Sequence, residues 1–228
     1  MPEGIRLHLG CGLTTPEGWV NVDGSWNARL ARYPVLRKSL AALHIIPRGL
    51  AEVKWRNVKY HDLRRPLPWG NGVASAVYAS HVLEHLYADQ ALSLVQEAFR
   101  VLQPEGVIRL MVPDLEKPAR QYLSELDTVL RGESCVANET PADRFLAELL
   151  FRPKAAPRGF WAYRLYNQLT ELQDHKWMYD GVSLQHLLRQ AGFSQVAVAH
   201  RHNSRIADIT AVETNHGLIV EGIKETSR

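Results

Sequence analysis

Short apolar runs of the kind that form β-strands alternate along this chain with segments of helical periodicity. Within residues 85–106 the apolar positions repeat at helical spacing, which predicts an amphipathic helix that Pro104 ends. A second helix is predicted over residues 183–193, beginning at the capping residue Ser183 and ending at Gly192. Seven runs are typical of strands: 5–9, 19–23, 57–62, 73–80, 107–113, 195–202 and 217–225.

This alternation constrains the fold class. Strands that are separated by helices favour a doubly wound sheet in which most strands are parallel. Only a polar stretch separates the last two runs, so they are predicted to pair antiparallel at one edge. We therefore predict an α/β, Rossmann-like fold, with a mostly parallel seven-stranded sheet, one antiparallel edge strand and two helical insertions.

The length of 228 residues suits a single domain, 1–228, that carries insertions. Residues 24–56 form a basic insertion in which Glu52 is the single acid, and residues 114–182 form a helical insertion rich in aromatic residues. Both insertions follow strand ends, where open α/β sheets build their binding crevice. We expect them to form the walls or the lid of a site.

A glycine turn follows the first strand, in the stretch RLHLGCGLTTPEGWVNVDGS. Gly10 and Gly12 allow the backbone to turn tightly and to approach a ligand without a Cβ in the way. Asp23 ends the next strand, where an acid can accept hydrogen bonds from both hydroxyls of a ribose. A plain turn is the alternative for the glycines alone, but the combination with Asp23 favours a nucleoside site.

The dinucleotide fingerprint does not fit this stretch. It requires a third glycine, where the chain has Thr15, and an acid about 20 residues further on. Only residues 13–19 separate the glycine turn from the next strand, so almost no helix N-terminus is left to hold a pyrophosphate. A ligand that contains ribose but no phosphate, such as S-adenosylmethionine, tolerates that loss better.

The order and spacing of six segments are informative: LHLGCG, GWVNVD, HDLRRPLPW, VASAVYASHVLEHL, EAFRVLQPEGVIRLMVPD and LLRQAGF. The series resembles that of class I S-adenosylmethionine-dependent methyltransferases, and most of all the methyltransferase-11-like group, in a branch with a truncated first helix. The resemblance covers residues 5–114 and 172–225. It implies S-adenosyl-L-methionine as cofactor and in-line transfer of its methyl group to an acceptor.

The resemblance also implies roles for individual residues. The glycine turn would lie under the methionine part of the cofactor, Asp23 would bind the ribose and Asp62 the adenine amino group. Ser80 and His81 would face the sulfonium and the substrate. His8 departs from the family, in which an acid is more usual and helps to bind the cofactor ammonium. The implied cofactor-binding residues are Leu9, Gly10, Cys11, Gly12, Asp23, Asp62, Leu63 and Ser80.

Three histidines are candidate catalytic residues. His81 and His85 lie in HVLEH, at the corner between the fourth strand and the next helix, and His175 lies in DHKWMYD before the last crossover helix. A general base is needed only if the acceptor atom starts protonated, as a hydroxyl or an ammonium does. Packing and helix-start roles are the alternatives for these histidines.

Two other functions compete with methyl transfer. HVLEH matches the zinc motif H-x-x-E-H, so a zinc hydrolase would use His81 and His85 as ligands and Glu84 as base. That motif belongs inside a helix and needs a third ligand, whereas here it directly follows a strand, so we assign no metal ligands. The third hypothesis is a non-catalytic module that binds the cofactor and serves in interactions.

The acceptor is predicted to be a small molecule or a saccharide, because similar branch members are associated with glycan work. The net charge of +3 is too mild to favour nucleic acid. The basic stretch 29–43 could form an amphipathic helix that contacts an anionic substrate or a membrane surface.

Location is predicted from what the sequence lacks. Cys11 and Cys135 form no CxxC pair, the N-terminus does not read as a signal peptide, and no apolar run reaches the roughly 18 residues of a membrane span. We expect a cytoplasmic enzyme.

Overall fold

The computed structural model describes residues 4–46, 52, 57–133, 139–150 and 174–226. Seven strands form one sheet in the order β3-β2-β1-β4-β5-β7-β6. They are β1 (Ile5–Leu9), β2 (Val20–Asp23), β3 (Val58–Tyr60), β4 (Ala74–Ser80), β5 (Leu102–Val112), β6 (Ser194–Val198) and β7 (Leu218–Ile223).

The pairing confirms the predicted α/β, Rossmann-like class. Strands β1 to β5 pair in parallel, while β7 runs antiparallel to both β5 and β6. The antiparallel pair therefore lies at one edge, as predicted, and the reversed strand is the inner member of that pair.

Six α-helices lie within the described residues. They are α1 (Trp26–Ala31), α2 (Pro34–Ala42), α3 (Ala88–Val101), α4 (Glu116–Leu130), α5 (Pro141–Leu150) and α6 (Gly181–Gln190). Helices α1 and α2 lie in the basic insertion, and α4 and α5 lie in the aromatic-rich one. Residues 134–138 and 151–173, with Cys135 and most of the aromatic residues of the second insertion, lie outside the described part.

The predicted helix ends need correction. Helix α3 ends at Val101 rather than at Pro104, because β5 already begins at Leu102, and the proline lies where the β4–β5 register shifts. Helix α6 begins two residues before Ser183, because the carboxylate of Asp180 accepts from the N–H groups of Val182 and Ser183 and is the true cap.

The basic stretch 29–43 is also not one helix. It divides between α1 and α2, and Pro34 is the first residue of α2. Proline fits a first helical turn but breaks a helix interior, so the break falls just before it. None of the described helices is long and apolar enough to cross a membrane.

One face of the sheet is covered by helices. Apolar residues of α3 and α6, among them Leu94 and Leu188, pack in one buried cluster with the sheet residues Leu7, Leu9, Val77, Ala79, Ile108 and Leu110. The alternation of side chains along a strand places every second residue of β1, β4 and β5 on this face.

The opposite face is covered in a different way. Residues 10–19 between β1 and β2, all of them described, form turns without a helix. The connection between β6 and β7, residues 199–217, covers this face instead. Its apolar side chains form a second buried cluster with sheet residues: Trp19, Ala76, Tyr78, Val107, Ile206, Ile209 and Val212.

A buried arginine anchors this connection to the sheet. Arg109 on β5 has no solvent exposure and forms ion pairs with Glu213 at 2.8 Å and with Glu221 at 3.0 Å. Its guanidinium also donates to the carbonyl oxygens of Asn203 and His200. Two carboxylates and two carbonyls thus satisfy a charge that would otherwise be costly to bury.

Replacing Arg109 with methionine is predicted to lower the free energy of unfolding by about 3–5 kcal/mol, because two carboxylates then lose their buried counter-charge. Urea unfolding of the two proteins measures this. Arg120→Met is the matched control, since Arg120 forms an exposed helical pair with Glu116 whose loss costs about 0.5 kcal/mol. Equal losses in the two variants would contradict the anchoring role.

Candidate functional site

A pocket opens at the carboxyl ends of β1, β2, β3 and β4, the edge where open α/β sheets bind their ligands. Each of the predicted motifs at the ends of these four strands contributes residues to the pocket. The lining is Gly10, Asp23, Gly24, Ser25, Asp62, Leu63, Arg64, His81, Val82, His85 and Leu86.

The glycine turn after β1 requires its glycines for steric reasons. Gly10 has φ +67°, and a Cβ at this position would lie 2.2 Å from Cγ2 of Val82. Gly12 has φ +51°, and a Cβ there would meet nothing within 4 Å. The turn therefore lies tightly against Val82, in the segment that follows β4, at Gly10, and it borders open space at Gly12.

Cys11, between the two glycines, is buried. Burial, with a contribution from the charge of Asp23, raises the pKa of its thiol to about 12. Since the thiolate is the reactive form, Cys11 is inert at neutral pH and fills space in the turn. Cys11 is therefore a packing residue of the tight turn.

The carboxylate of Asp23 holds the two loops together. Oδ2 accepts from the backbone N–H of Gly12 at 2.9 Å, and Oδ1 accepts from the N–H of Ser25 at 2.8 Å. Each carboxylate oxygen has two lone pairs, so each retains one for a further donor. Asp23 is 6% exposed and lines the pocket, so a pair of hydroxyl groups can reach those lone pairs.

The loop after β3 brings Asp62 and Leu63 to the same pocket. Asp62 forms a bidentate pair with Arg64, with both N–O distances at 2.9 Å, and this lowers the pKa of its carboxyl group. Leu63 is buried beneath. Gly24 permits this approach, because a Cβ there would lie 2.7 Å from the carbonyl oxygen of His61.

Ser80 ends β4 but does not line the pocket. Its hydroxyl accepts from Nδ2 of Asn215 at 3.3 Å and lies 3.5 Å from Sδ of Met111. The predicted contact between Ser80 and a cofactor therefore stays a prediction, and in this structure the residue joins β4 to the β6–β7 connection.

His81 has both ring nitrogens engaged. Nδ1 lies 3.0 Å from Oε1 of Glu84, and Nε2 lies 3.2 Å from the carbonyl oxygen of His216. The bond to Glu84 raises the pKa of His81. Because both ring nitrogens are engaged by the surrounding protein, this geometry favours a positioning role for His81.

Glu84 is the most deeply buried acid of the site, with no solvent exposure. Its backbone carbonyl accepts from the N–H groups of Lys176, at 2.7 Å, and Trp177, at 3.2 Å. Its second carboxylate oxygen, Oε2, is buried with no hydrogen-bond partner among the described residues. Glu84 thereby joins the end of β4 to the DHKWMYD segment.

His85 and His175 face each other. Their ring centroids lie 5.4 Å apart in an edge-to-face arrangement. Nδ1 of His85 lies 3.4 Å from the carbonyl oxygen of Asp174, and Nδ1 of His175 lies 3.1 Å from that of Leu149. Burial lowers the pKa of His85, which keeps its ring neutral at pH 7. Of the two, only His85 lines the pocket.

This geometry does not favour the zinc reading of HVLEH. The motif directly follows β4 and ends in a short 3-10 turn, Leu83–His85, so it does not lie within one α-helix. His81 also binds Glu84, the residue that would have to act as the base. A hydrolase with His81 and His85 as its two helical ligands is therefore not supported.

Sequence reasoning missed several residues that shape the site. Arg64 at Asp62, Asn215 at Ser80 and the carbonyl of His216 at His81 were assigned no role. The spacing of His81 and Glu84, three residues apart in one motif, is the one signal that could have indicated a contact. The others lie far apart in sequence from their partners or, as with Arg64, in a loop without periodicity.

His8 lies outside the pocket lining. It is 2% exposed and packs on the opposite face of β1, with its ring centroid 5.3 Å from that of Tyr78 and 6.3 Å from that of Trp19. Burial lowers the pKa of His8 to about 4, so its ring is neutral at pH 7. A core residue, His8, thus lies at the position where the methyltransferase group that the sequence resembles usually has an acid.

Comparison with known proteins gives a family match. Residues 23–110 match the model of a methyltransferase domain family, a range that begins at Asp23 and ends within β5. No curated protein sequence matches the chain.

Solved structures that resemble the chain are methyltransferases of low identity. One from Thermotoga maritima is 16% identical, with 99% of this chain and 84% of that chain covered and a TM-score of 0.47. One from Methanosarcina mazei is 16% identical, with 98% and 92% covered and a TM-score of 0.47. Human N-acetylserotonin methyltransferase in complex with S-adenosylmethionine is 15% identical, with 97% and 47% covered and a TM-score of 0.43.

The burial of His8 generates a pH prediction. The pKa of His8 is lowered in the folded state. Between pH 6.5 and about pH 4, His8 is therefore protonated in the unfolded chain but neutral in the folded protein. The free energy of unfolding should therefore fall by about 3 kcal/mol from this group as the pH drops through that window. His8→Phe removes the titration.

Urea unfolding of both proteins from pH 7 to pH 4 checks this prediction. The stability of the wild type should decline more steeply than that of His8→Phe, since all other titrating groups are shared. Parallel profiles would show that His8 accepts its proton as readily in the folded state as in the unfolded one.

Proposed function

We propose that this chain, whose residues 23–110 match a methyltransferase domain family, is a class I S-adenosylmethionine-dependent methyltransferase that transfers the methyl group to a hydroxyl oxygen of a small-molecule or saccharide acceptor. The observation that carries the acceptor chemistry is His85, a pocket-lining imidazole that burial keeps neutral beside the ring of His175. A hydroxyl group must lose its proton when it is methylated, and a neutral imidazole is suited to assist that loss.

The pocket residues fit the cofactor. The lone pairs that remain on Asp23 suit the two ribose hydroxyls, and the open space at Gly12, next to the lining residue Gly10, suits the methionine part. Leu63 and Leu86 give the pocket an apolar surface for an adenine ring. The pocket offers no helix N-terminus directly after β1, which agrees with a ligand without phosphates.

Asp62 requires a further step before it can bind an adenine amino group. Its two carboxylate oxygens are engaged by the guanidinium of Arg64, which also lines the pocket. Each oxygen still has a lone pair, so the amino group can share the carboxylate with Arg64. Arg64 then also holds the Asp62 carboxylate in its ionised form.

The bound cofactor supplies an activated methyl group on a sulfonium, and a thioether leaves as the new C–O bond forms. The protein mainly has to position the acceptor and exclude water. His81, held by Glu84 and by the carbonyl of His216, forms a fixed wall of the pocket. His85 lies within the same lining and offers the neutral ring that the acceptor proton requires.

The first test is calorimetric titration with S-adenosylhomocysteine. Asp23→Ala is expected to weaken binding by at least about tenfold, or about 1.4 kcal/mol, because the ribose hydroxyls lose their acceptor. Asp89→Ala, at an exposed position outside the pocket, is the matched control and should bind as the wild type does. A wild type that does not bind, or an Asp23→Ala variant that binds equally well, would contradict the cofactor site.

The acceptor class is tested with methyl-labelled cofactor and a panel of saccharides, other small hydroxyl compounds and amines. With an accepted substrate, kcat should fall as the pH drops below 6.5, through the lowered pKa of His85. His85→Asn is expected to lower kcat by about 100-fold or more while S-adenosylhomocysteine still binds. His186→Asn, at an exposed position on α6, is the control.

Labelled product with amines but not with any hydroxyl compound would refute the acceptor class. Unchanged kcat in His85→Asn would refute the role of the imidazole and leave the acceptor class to the panel.

A further inference from the structure

Three potential metal ligands meet behind the pocket wall. One ligand atom from each of Glu84, His85 and His175 lies within 4.8 Å of the other two. They come from the two segments that the backbone of Glu84 joins, the end of β4 and the DHKWMYD loop. The grouping differs from the zinc reading of HVLEH, because His81 is replaced by a histidine about ninety residues away and Glu84 is a ligand rather than a base.

One carboxylate oxygen of Glu84 has no hydrogen-bond partner among the described residues. Oε1 is bonded to His81, but Oε2 is buried without a hydrogen-bond partner among the described residues. A buried carboxylate oxygen without a partner is costly, so natural proteins rarely leave one in that state. The hydroxyl of Tyr179, close enough for the charge of Glu84 to act on it, is also buried without a partner among the described residues. A cation bound to the carboxylate of Glu84 would satisfy Oε2, which no described residue does.

Both histidines have a backbone contact of the kind that metal-binding histidines use. Nδ1 of each ring faces a backbone carbonyl oxygen, that of Asp174 for His85 and that of Leu149 for His175. With a hydrogen on Nδ1, each ring would offer the lone pair of Nε2 to a cation. Metal-binding histidines almost always have their second nitrogen fixed in this way, because the contact sets both the tautomer and the ring orientation.

We propose that Glu84, His85 and His175 bind one divalent transition-metal ion, of the class of Zn²⁺, Co²⁺ or Mn²⁺, beside the cofactor pocket. Two imidazoles and one carboxylate suit first-row transition metals better than Mg²⁺ or Ca²⁺, which prefer oxygen ligands alone. Three protein ligands leave at least one coordination position open, as in catalytic rather than structural sites.

The proposal rests on the proposed function and refines it, because activation of the acceptor hydroxyl passes from the free imidazole of His85 to the cation that His85 would hold. His85 both lines the pocket and belongs to the metal cluster, so an open coordination position lies next to the pocket. A hydroxyl group that binds there loses its proton more readily, because the cation stabilises the alkoxide. The proton then leaves to solvent, since the Nε2 lone pair of His85 is occupied by the cation. Acceptors with two neighbouring hydroxyl groups, which can chelate, are favoured over single alcohols.

The test is titration of the purified full chain with Co²⁺, followed by visible absorption, after removal of metals with a chelator. We expect about one equivalent of Co²⁺ to bind and to give d–d absorption bands typical of coordination by nitrogen and oxygen ligands. His175→Asn and Glu84→Gln should each weaken binding by about tenfold or more. His186→Asn, which alters an exposed histidine, should leave it unchanged.

Glu84 is fully buried, so Glu84→Gln can fail to fold, and His175→Asn then decides the test. S-adenosylhomocysteine binding is measured on every variant. Co²⁺ binding that His175→Asn weakens while S-adenosylhomocysteine binding is retained supports the proposal. Absence of Co²⁺ binding, or equal binding in wild type, His175→Asn and His186→Asn, overturns the metal site. Wild type that binds Co²⁺ but not S-adenosylhomocysteine instead overturns the proposed function.

Discussion

The buried guanidinium of Arg109 is the interaction on which one whole face of the sheet depends. The connection between β1 and β2 contains no helix, so it cannot cover the side chains that β1, β4 and β5 direct to that face. A mostly parallel sheet has to be covered on both faces. The β6–β7 connection does this with Ile206, Ile209 and Val212, and Arg109 holds it in place through Glu213. The face that the turns between β1 and β2 leave open is thus covered by the β6–β7 connection.

The same connection contributes to the site. The carbonyl oxygen of His216 accepts from His81, and Asn215 donates to Ser80. On the other side, the backbone of Glu84 holds the segment that carries His175. The end of β4 is therefore fixed from both directions, and His81 keeps a left-handed φ of +54° that few non-glycine residues adopt. Such backbone strain persists only where the surroundings determine it, and it is common at functional sites.

Periodicity and turn residues were sufficient to predict the seven strands, their mostly parallel order and the edge at which the pocket forms. Together with the family resemblance, which implied the roles of Asp62 and Leu63, they placed Gly10, Asp23, Asp62, Leu63, His81 and His85 at that edge, and all of them line the pocket. The helix starts were less certain, because Asp180 and Ser183 are both good caps and only the backbone geometry distinguishes them. The partner of Asp62, the burial of Glu84 and the cover of the second face depend on contacts between segments. Hydrophobic spacing contains no information on such contacts.

The position of the β6–β7 connection has a consequence for synthesis of the protein. Arg6, on strand β1, donates to the carbonyl oxygen of Ala207, 201 residues further along the chain. Strand β1 therefore leaves the ribosome long before the residues that cover its second face. Contacts of such sequence separation slow folding and leave apolar surface exposed in the meantime. A nascent chain that does not yet include residues 199–217 would expose Trp19 and Tyr78 to water and would need protection from aggregation until that segment is made.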